Sequence, residues 1–359
     1  MLYRKYRPKT FSGLVGQDHI TKTLSGAVLS GRVGQAYLFC GPRGTGKTTA
    51  ARLFAKLLNC SDVEKSGHAV EPCNKCQSCT EINDGRSMDL IEIDAASNRG
   101  IDEIRNLKES ALVAAPGGKY KVFIIDEVHM LTKDAFNALL KILEEPPSHV
   151  IFILATTEPH KILPTVLSRV QRFDFKKLSH NNIVSKLRKI ADLEKIKIGD
   201  DAISVIAASS DGALRDAEVA LTKLRASSGN TIALADVTEA LGLIPVTFYP
   251  EFLGYISQNK KIEAVQLIHR VADSGADIEN FTKEFIEYLR KTLLIKIDPV
   301  VFASTGSYLS EYALAQTAGV DSAKIAKMIS IFSIARNEIK LSPVPILPLE
   351  LAVLELVQD

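Results

Sequence analysis

The chain has no tryptophan, and aromatic residues make up only 6% of its 359 positions. That scarcity argues against stacked aromatic platforms as its means of holding single-stranded nucleic acid. Charge of one sign is also lacking: 44 Lys and Arg against 42 Asp and Glu leave a net +2, so any nucleic-acid contact must come from local placement of basic groups. No long hydrophobic run is present. The most apolar stretch near the end, 344–357, is broken by Pro345, Pro348, Glu350 and Glu355 and is too interrupted to span a bilayer. The basic opening is not followed by the apolar core of a secretory signal. A soluble, cytoplasmic protein with no membrane partner is expected. Five cysteines, four of them grouped, suggest in that compartment a metal site rather than a disulfide framework.

What is there begins with the stretch 41–48, GPRGTGKT, directly after the apolar run Ala36-Tyr37-Leu38-Phe39-Cys40. A strand feeding such a loop makes a phosphate cradle. Gly41, Gly44 and Gly46, interleaved with Pro42, Arg43 and Thr45, let successive N–H groups converge on one spot. Lys47 opens a helix whose N-terminus favours an anion. A nucleoside triphosphate fits, with Lys47 on the β- and γ-phosphates, the Thr48 hydroxyl on Mg²⁺ and Thr49 alongside. The helix that follows repeats apolar residues at Ala51, Leu53, Phe54, Leu57 and Leu58, which makes a chance match to the pattern a poor explanation.

Strands are expected at 90–94, 120–125 and 150–155, the last two buried, with a short last one at 172–175, alternating with helices near 20–30, 48–58, 101–112 and 133–143. This alternation predicts an α/β domain with a parallel sheet covered on both faces. From Ser179 onward no strand pattern is legible and short amphipathic helices follow. Three segments are expected: 1–178 as the α/β nucleotide domain, with a cysteine site inserted at about 60–79; 179–242 as a small helical domain; and 243–359 as a helical C-terminal domain, with Pro245 near the second boundary. The opening 17 residues read as extended or turn-like around Pro8.

Asp126-Glu127 ends a buried strand, where open α/β sheets place their ligands. One carboxylate there can hold Mg²⁺ and the other can polarise an attacking water, as an ATP hydrolase requires. Thr157 ends the next strand beside the expected γ-phosphate, with Thr156 the competing choice. Cys73, Cys76 and Cys79 form C-x-x-C-x-x-C, with Cys60 upstream, and four thiolates can close a tetrahedral Zn²⁺ shell with no open position, a structural site. The rival is an iron–sulfur cluster, but Thr80-Glu81 stands where the bacterial ferredoxin run needs a further Cys-Pro. Cys40, inside a strand, reads as a small buried residue. Arg169 alone reads as a surface salt bridge, and Arg215 as an Arg near a helix start that could reach back to a nucleotide.

Together with YRPKTFSGLVGQ, DLIEIDAAS, FNALLKILEEPP, LATTEPHKI, LSRV and GALRDA, these residues resemble the AAA+ ATPases of the clamp-loader kind over roughly the first 240 positions. The remainder resembles them in helical character and in the closing PLELAVLEL. The resemblance implies an AAA+ domain, a helical lid and an all-α collar. It implies an ATP-hydrolysing motor that opens a sliding clamp and releases it onto primer–template DNA, in a pentameric ring with copies of itself and companion delta and delta-prime subunits. Tyr6, Arg7, Pro8 and Val15 would line the adenine and ribose, Asp126 and Glu127 would be the Walker B pair, Thr157 a sensor and Arg215 a second sensor in the lid. Arg169 would be a finger inserted into the neighbouring subunit's ATP, an arrangement worth on the order of 10³ to 10⁵ in rate. Val170 departs from the family, where Cys commonly follows Ser-Arg. The resemblance also implies a DNA contact through Ser97, Asn98, Arg99 and Arg105. The alternative for that segment is an ordinary helix cap formed by Ser97 or Asn98. Two other functions stay open: a different AAA+ DNA motor such as a branch-migration helicase, which leaves the cysteines unexplained, or a non-hydrolysing stator subunit, which typically lacks a working P-loop.

Overall fold

In the computed structural model, which describes residues 1–66, 69–242, 247–297 and 321–357, the chain forms two compact units, Met1–Leu234 and Ala235–Asp359. The strands of the first unit are β1 (Ala36–Cys40), β2 (Glu64–Ser66), β3 (Ala69–Glu71), β4 (Leu90–Asp94), β5 (Lys121–Asp126), β6 (Val150–Thr156), β7 (Gln171–Asp174), β8 (Lys197–Ile198) and β9 (Thr231–Ile232). Five of them build one parallel sheet in the order β4-β5-β6-β1-β7. Its helices are α1 (Leu2–Lys5), α2 (Asp18–Leu29), α3 (Lys47–Asn59), α4 (Gln77–Asp84), α5 (Ile101–Leu112), α6 (Lys133–Glu144), α7 (Pro164–Leu167), α8 (His180–Glu194), α9 (Asp200–Ser209) and α10 (Leu214–Ser228). A further helix, α11 (Leu234–Ala240), begins where the second unit does.

The continuous apolar runs become central strands because alternate residues feed two separate cores. Leu38, Phe123, Ile125, Phe152 and Leu154 join one cluster with α5 and α6, with Phe123 and Phe152 stacked at 5.4 Å. Tyr37, Phe39, Val122, Ile124, Ile151 and Ile153 join the other with α2 and α3. Each such fully buried side chain contributes about 1.5–3 kcal/mol. Register then brings the carboxyl ends together: Cys40 pairs with Thr156, Ile125 with Leu154, and Asp94 with Asp126. The loops that follow all open on the same edge.

Three local features differ from the sequence-based expectation. The opening carries α1, because Leu2 is buried and its N–H donates to Thr222 Oγ1 at 3.4 Å. The inserted cysteine region carries the β2–β3 hairpin and, beginning at Gln77, α4. The helical stretch after Ser179 contains the parallel pair β8–β9, whose strands of two residues each are too short to show a period.

The second unit is helical in its described residues: α12 (Phe248–Ser257), α13 (Lys261–Asp273), α14 (Ile278–Ile297), α15 (Ser322–Ile339) and α16 (Leu347–Leu356). Its core is aromatic, with Phe252, Phe281, Phe285 and Phe332 in mutual ring contact. Apolar residues also stay exposed on it, among them Ile334 at 57%, Leu351 at 53% and Leu354 at 50%. Pro245 lies outside the described residues. Among the described residues no helix is long and apolar enough to cross a membrane.

Candidate nucleotide and metal sites

A cavity of about 470 Å³ opens at the carboxyl edge of the sheet. Arg43 through Thr49 form its floor, Asp126 and Glu127 one side, Arg7, Pro8 and Val15 another, and Arg215 approaches from α10. The loop between β1 and α3 is shaped by its glycines. Gly41 has φ +144° and a Cβ there would meet the Phe175 carbonyl at 2.4 Å, while one on Gly44, φ +76°, would meet the Ala213 Cβ at 2.9 Å. Lys47 Nζ donates to the carbonyls of Gly41 at 2.7 Å and Pro42 at 2.9 Å. Burial lowers its pKa against the opposing pull of Glu127 and Asp126, and burial likewise lowers that of Arg7. Partly desolvated cations over a backbone cradle suit a polyanion.

Cavity residues that the sequence reading missed are Tyr3, Leu14, Asp94, Ala96, Leu178, Leu214 and Glu218. The Tyr3 ring lies 4.9 Å from the Arg215 guanidinium. Tyr6 does not line the cavity; its hydroxyl donates to Glu194 Oε1 at 2.6 Å, beside Lys5 Nζ at 2.6 Å and Arg225 Nη1 at 2.5 Å on the same carboxylate. Glu218 is 6% exposed, and burial pushes its carboxyl up to about 7 despite the pull of Lys186 and Arg7.

Thr48 Oγ1 donates to Asp126 Oδ2 at 2.7 Å, so the hydroxyl and carboxylate expected to share a cation already touch. Glu127 sits at φ +48°, a left-handed conformation that costs a non-glycine residue about 1–2 kcal/mol. It is held there by its own N–H to Asp126 Oδ1 at 3.0 Å and by Thr157, whose hydroxyl and N–H donate to Glu127 Oε2 at 2.9 and 3.3 Å. Thr156 is fully buried, its hydroxyl engaged with His129 Nδ1 and the Glu158 N–H, both at 3.0 Å. Of the two threonines, Thr157 is the one that addresses the strained carboxylate.

The four cysteines converge at the far end of α3. Cys60 caps its C-terminus, Cys76 caps the N-terminus of α4, Cys79 lies within α4, and all four sulfurs lie within 4.8 Å of one another. Backbone N–H groups of Cys73, Lys75 and Cys76 approach the Cys60 and Cys73 sulfurs at 3.3–3.4 Å. A tetrahedral Zn²⁺ with Zn–S near 2.3 Å needs sulfurs about 3.8 Å apart, so this donor set fits with slight contraction. Cys40 is buried inside β1.

Arg169 donates to Glu144 Oε1 at 2.9 Å, to the Thr165 carbonyl at 2.8 Å and to Ser168 Oγ at 3.1 Å within its own chain. In the 97–105 segment the cap of α5 is Gly100, not Ser97 or Asn98. Ser97 Oγ bonds Asp94 Oδ2, Asn98 Nδ2 the Asp94 carbonyl, Arg99 Nε the Ala96 carbonyl, and Arg105 pairs with Asp102, all on an exposed surface.

Residues 16–179 match the family described as DNA polymerase III, delta subunit, and residues 232–359 that described as DNA polymerase III subunits gamma and tau domain III. DNA polymerase III subunit tau of Bacillus subtilis is 41% identical over 99% of this chain and 63% of that protein. DNA polymerase III subunit gamma of Buchnera aphidicola is 38% identical over 86% of this chain and 82% of that protein. Several tau and gamma/tau relatives are longer, and the chain spans 47% to 63% of their lengths. Among solved structures, the RuvB Holliday junction branch migration motor of Thermotoga maritima aligns with 19% identity and a TM-score of 0.48 over 71% of this chain and 80% of that one, too distant to carry an argument. With both segments matched and the similarity running nearly end to end, the chain belongs to the gamma and tau subunit family of bacterial DNA polymerase III.

Proposed function

We propose that the chain is the ATP-hydrolysing motor of a clamp loader: ATP binding opens a sliding clamp, and hydrolysis triggered by primed DNA releases it. The observation that carries this reading is the Thr48–Asp126 contact beside a strained Glu127 held by Thr157, a hydrolytic arrangement that a non-hydrolysing stator would not need. Lys47 and the cradle N–H groups would hold the β- and γ-phosphates, and Thr48 and Asp126 the Mg²⁺ ion. The bound Mg²⁺ would neutralise charge on the phosphate oxygens. Glu127 would orient a water and accept its proton as the water oxygen bonds to the γ-phosphorus and the bond to ADP breaks. Thr157 would make that carboxylate responsive to the γ-phosphate, and Arg215 would bring α10 onto the nucleotide. Arg7, Pro8 and Val15 support the adenine and ribose side.

In this reading Arg169 exchanges its Glu144 contact for the ATP of an adjoining subunit. The ring would comprise further gamma or tau copies with delta and delta-prime, and its cytoplasmic location follows from acting in replication. Residues 1–178, 179–242 and 243–359 would serve as the AAA+ domain, lid and collar. The exposed apolar residues of α15 and α16 suit the collar. Cys60, Cys73, Cys76 and Cys79 would hold a structural Zn²⁺, and Ser97, Asn98, Arg99 and Arg105 would face DNA phosphates. The test is steady-state ATPase of the chain alone, then with delta and delta-prime, then with clamp and primed DNA. Rates should climb at each addition, and Arg169→Ala should keep nucleotide binding while losing about 10³-fold of the stimulated rate. Hydrolysis indifferent to clamp and DNA would sink the reading.

A further inference from the structure

We propose that Glu71 and Lys56 are positioning residues for nucleotide binding: they tie the segment that walls the nucleotide cavity to the four-cysteine module, so that the order of the module sets affinity in the cavity. The inference rests on the nucleotide-binding reading of that cavity. The segment 7–15 supplies Arg7, Pro8, Leu14 and Val15 to the cavity wall, and between them lies a single helical turn, Phe11–Gly13. That turn has no side-chain cap of its own. Its first two N–H groups, of Phe11 and Ser12, donate instead to the two oxygens of Glu71, at 2.6 and 2.7 Å. Glu71 is 8% exposed and stands two residues before Cys73, separated from it only by Pro72. An acidic group at the start of a helical turn satisfies donors that nothing in the turn itself can reach.

The second tie is a buried cation. Lys56, on α3 one turn before Cys60, is 2% exposed. Its ammonium donates to the Lys9 carbonyl at 2.9 Å, to Asn83 Oδ1 at 2.8 Å and to Asn74 Oδ1. Asn74 lies between Cys73 and Cys76, and Asn83 lies one turn beyond Cys79 on α4. One ammonium therefore joins the wall segment to both halves of the cysteine module, and both its module contacts depend on how that module is folded. On the other side the segment is anchored by Lys5 and Tyr6 to Glu194. Arg7 and Pro8 thus span two fixed points, and releasing one frees them from the cavity.

The experiment measures affinity for a fluorescent ATP analogue with the full chain, before and after zinc is removed by a chelator, and amide exchange at Phe11 and Ser12. Glu71→Ala and Lys56→Met should each bind nucleotide at least tenfold more weakly, with faster exchange at both amides. Glu71→Gln, which keeps one acceptor oxygen, should fall between Glu71→Ala and wild type. Chelation of the wild type should weaken binding about fivefold or more, and chelation of Glu71→Ala less than twofold, because the tie is already cut. By linkage, nucleotide should tighten zinc binding in the wild type by a similar factor, read as the shift in a chelator competition titration. Wild-type affinity in Glu71→Ala with accelerated exchange at Phe11, or an undiminished chelation effect in that variant, would overturn the inference while leaving the cavity's function intact. If Glu71→Ala does not fold, Lys56→Met is read in its place by the same two criteria. A wild-type chain that binds no nucleotide would instead remove the reading on which the inference rests.

Discussion

Helix α3 has a candidate site at each end, about 20 Å apart for its 13 residues. At the N-terminus the cradle is hydrogen-bonded by itself: Lys47 rests on the carbonyls of Gly41 and Pro42, and Thr48 on Asp126. At the C-terminus four sulfurs face one another, and the polar contacts around them come mainly from backbone N–H groups. The macrodipole of α3 suits the anion expected at its start, but not a four-thiolate centre at its end, which carries a net charge of −2 even with Zn²⁺ bound. The difference is in what ligand loss does. The first end should exchange ligand and keep its fold, whereas at the second the Lys56 and Glu71 contacts are the protein's own ties and a metal would supply the rest.

The largest expected effect breaks the second end. Cys79 is fully buried, and Cys79→Ser removes one of four donors where nothing can substitute. With zinc in the site, as proposed, its content should fall by one equivalent, and residues 60–66 and 69–84 should lose amide-exchange protection worth several kcal/mol, because metal binding at a four-thiolate site is folding energy. Retained protection without zinc would show that the module folds by itself. Lys47→Ala breaks the first end instead. Nucleotide affinity should drop by roughly 100-fold or more through loss of charge-assisted phosphate contacts. Thermal stability should move by less than about 1 kcal/mol, since the lost partners are carbonyls that water can reach. A large fall in stability would erase the contrast between the two ends.

Both ends were legible in the sequence for one reason: each chemistry demands several residue types at fixed short spacing. GPRGTGKT after an apolar run and C-x-x-C-x-x-C are such patterns, and Asp126-Glu127 is read from the strand that carries it. What surrounds them was not legible, because it is assembled from afar. Glu71 meets Phe11 across 60 positions and Lys5 meets Glu194 across 189. That Tyr3 rather than Tyr6 faces the cavity was hidden because α1 is a four-residue helix, too short to show a period. Arg169 was legible only through the resemblance, because in its own chain it bonds Glu144, Thr165 and Ser168 like an ordinary surface residue.

The next effect tests the electrostatic cost of a buried carboxyl in the wall of the first end's cavity. Glu218 carries a folded-state pKa of about 7, raised by burial from an ordinary 4.5. The native state therefore keeps a proton that the unfolded chain has released, and stability falls as pH rises from about 4.5 to about 7 and then levels off. The full cost is at most about 3 kcal/mol. Glu218→Gln should match the wild type at pH 4.5 and exceed it increasingly up to pH 8 in urea titrations. A difference independent of pH would mean that water reaches this carboxyl and that the cavity carries no such electrostatic cost.

The smallest effect concerns the anchor shared by the nucleotide wall. Lys5, Tyr6 and Arg225 hold the Glu194 carboxyl down at about 2, the Lys5 contact first among them. A carboxyl with a depressed pKa stabilises the fold above the ordinary carboxylate range, and the benefit fades as pH falls toward 2. Tyr6→Phe deletes one of the three donors and should lower stability only slightly at pH 7, by an amount that shrinks in acid as Glu194 protonates in both proteins. Nucleotide affinity should change by less than about threefold, because Lys5 and Arg225 keep the carboxylate occupied and Tyr6 does not line the cavity. Tyr3→Ala, which removes the ring beside Arg215, should weaken binding more. If the order of the two variants is reversed, Tyr6 acts on the base directly, as the family resemblance implied, and the anchor to Glu194 must open when nucleotide enters.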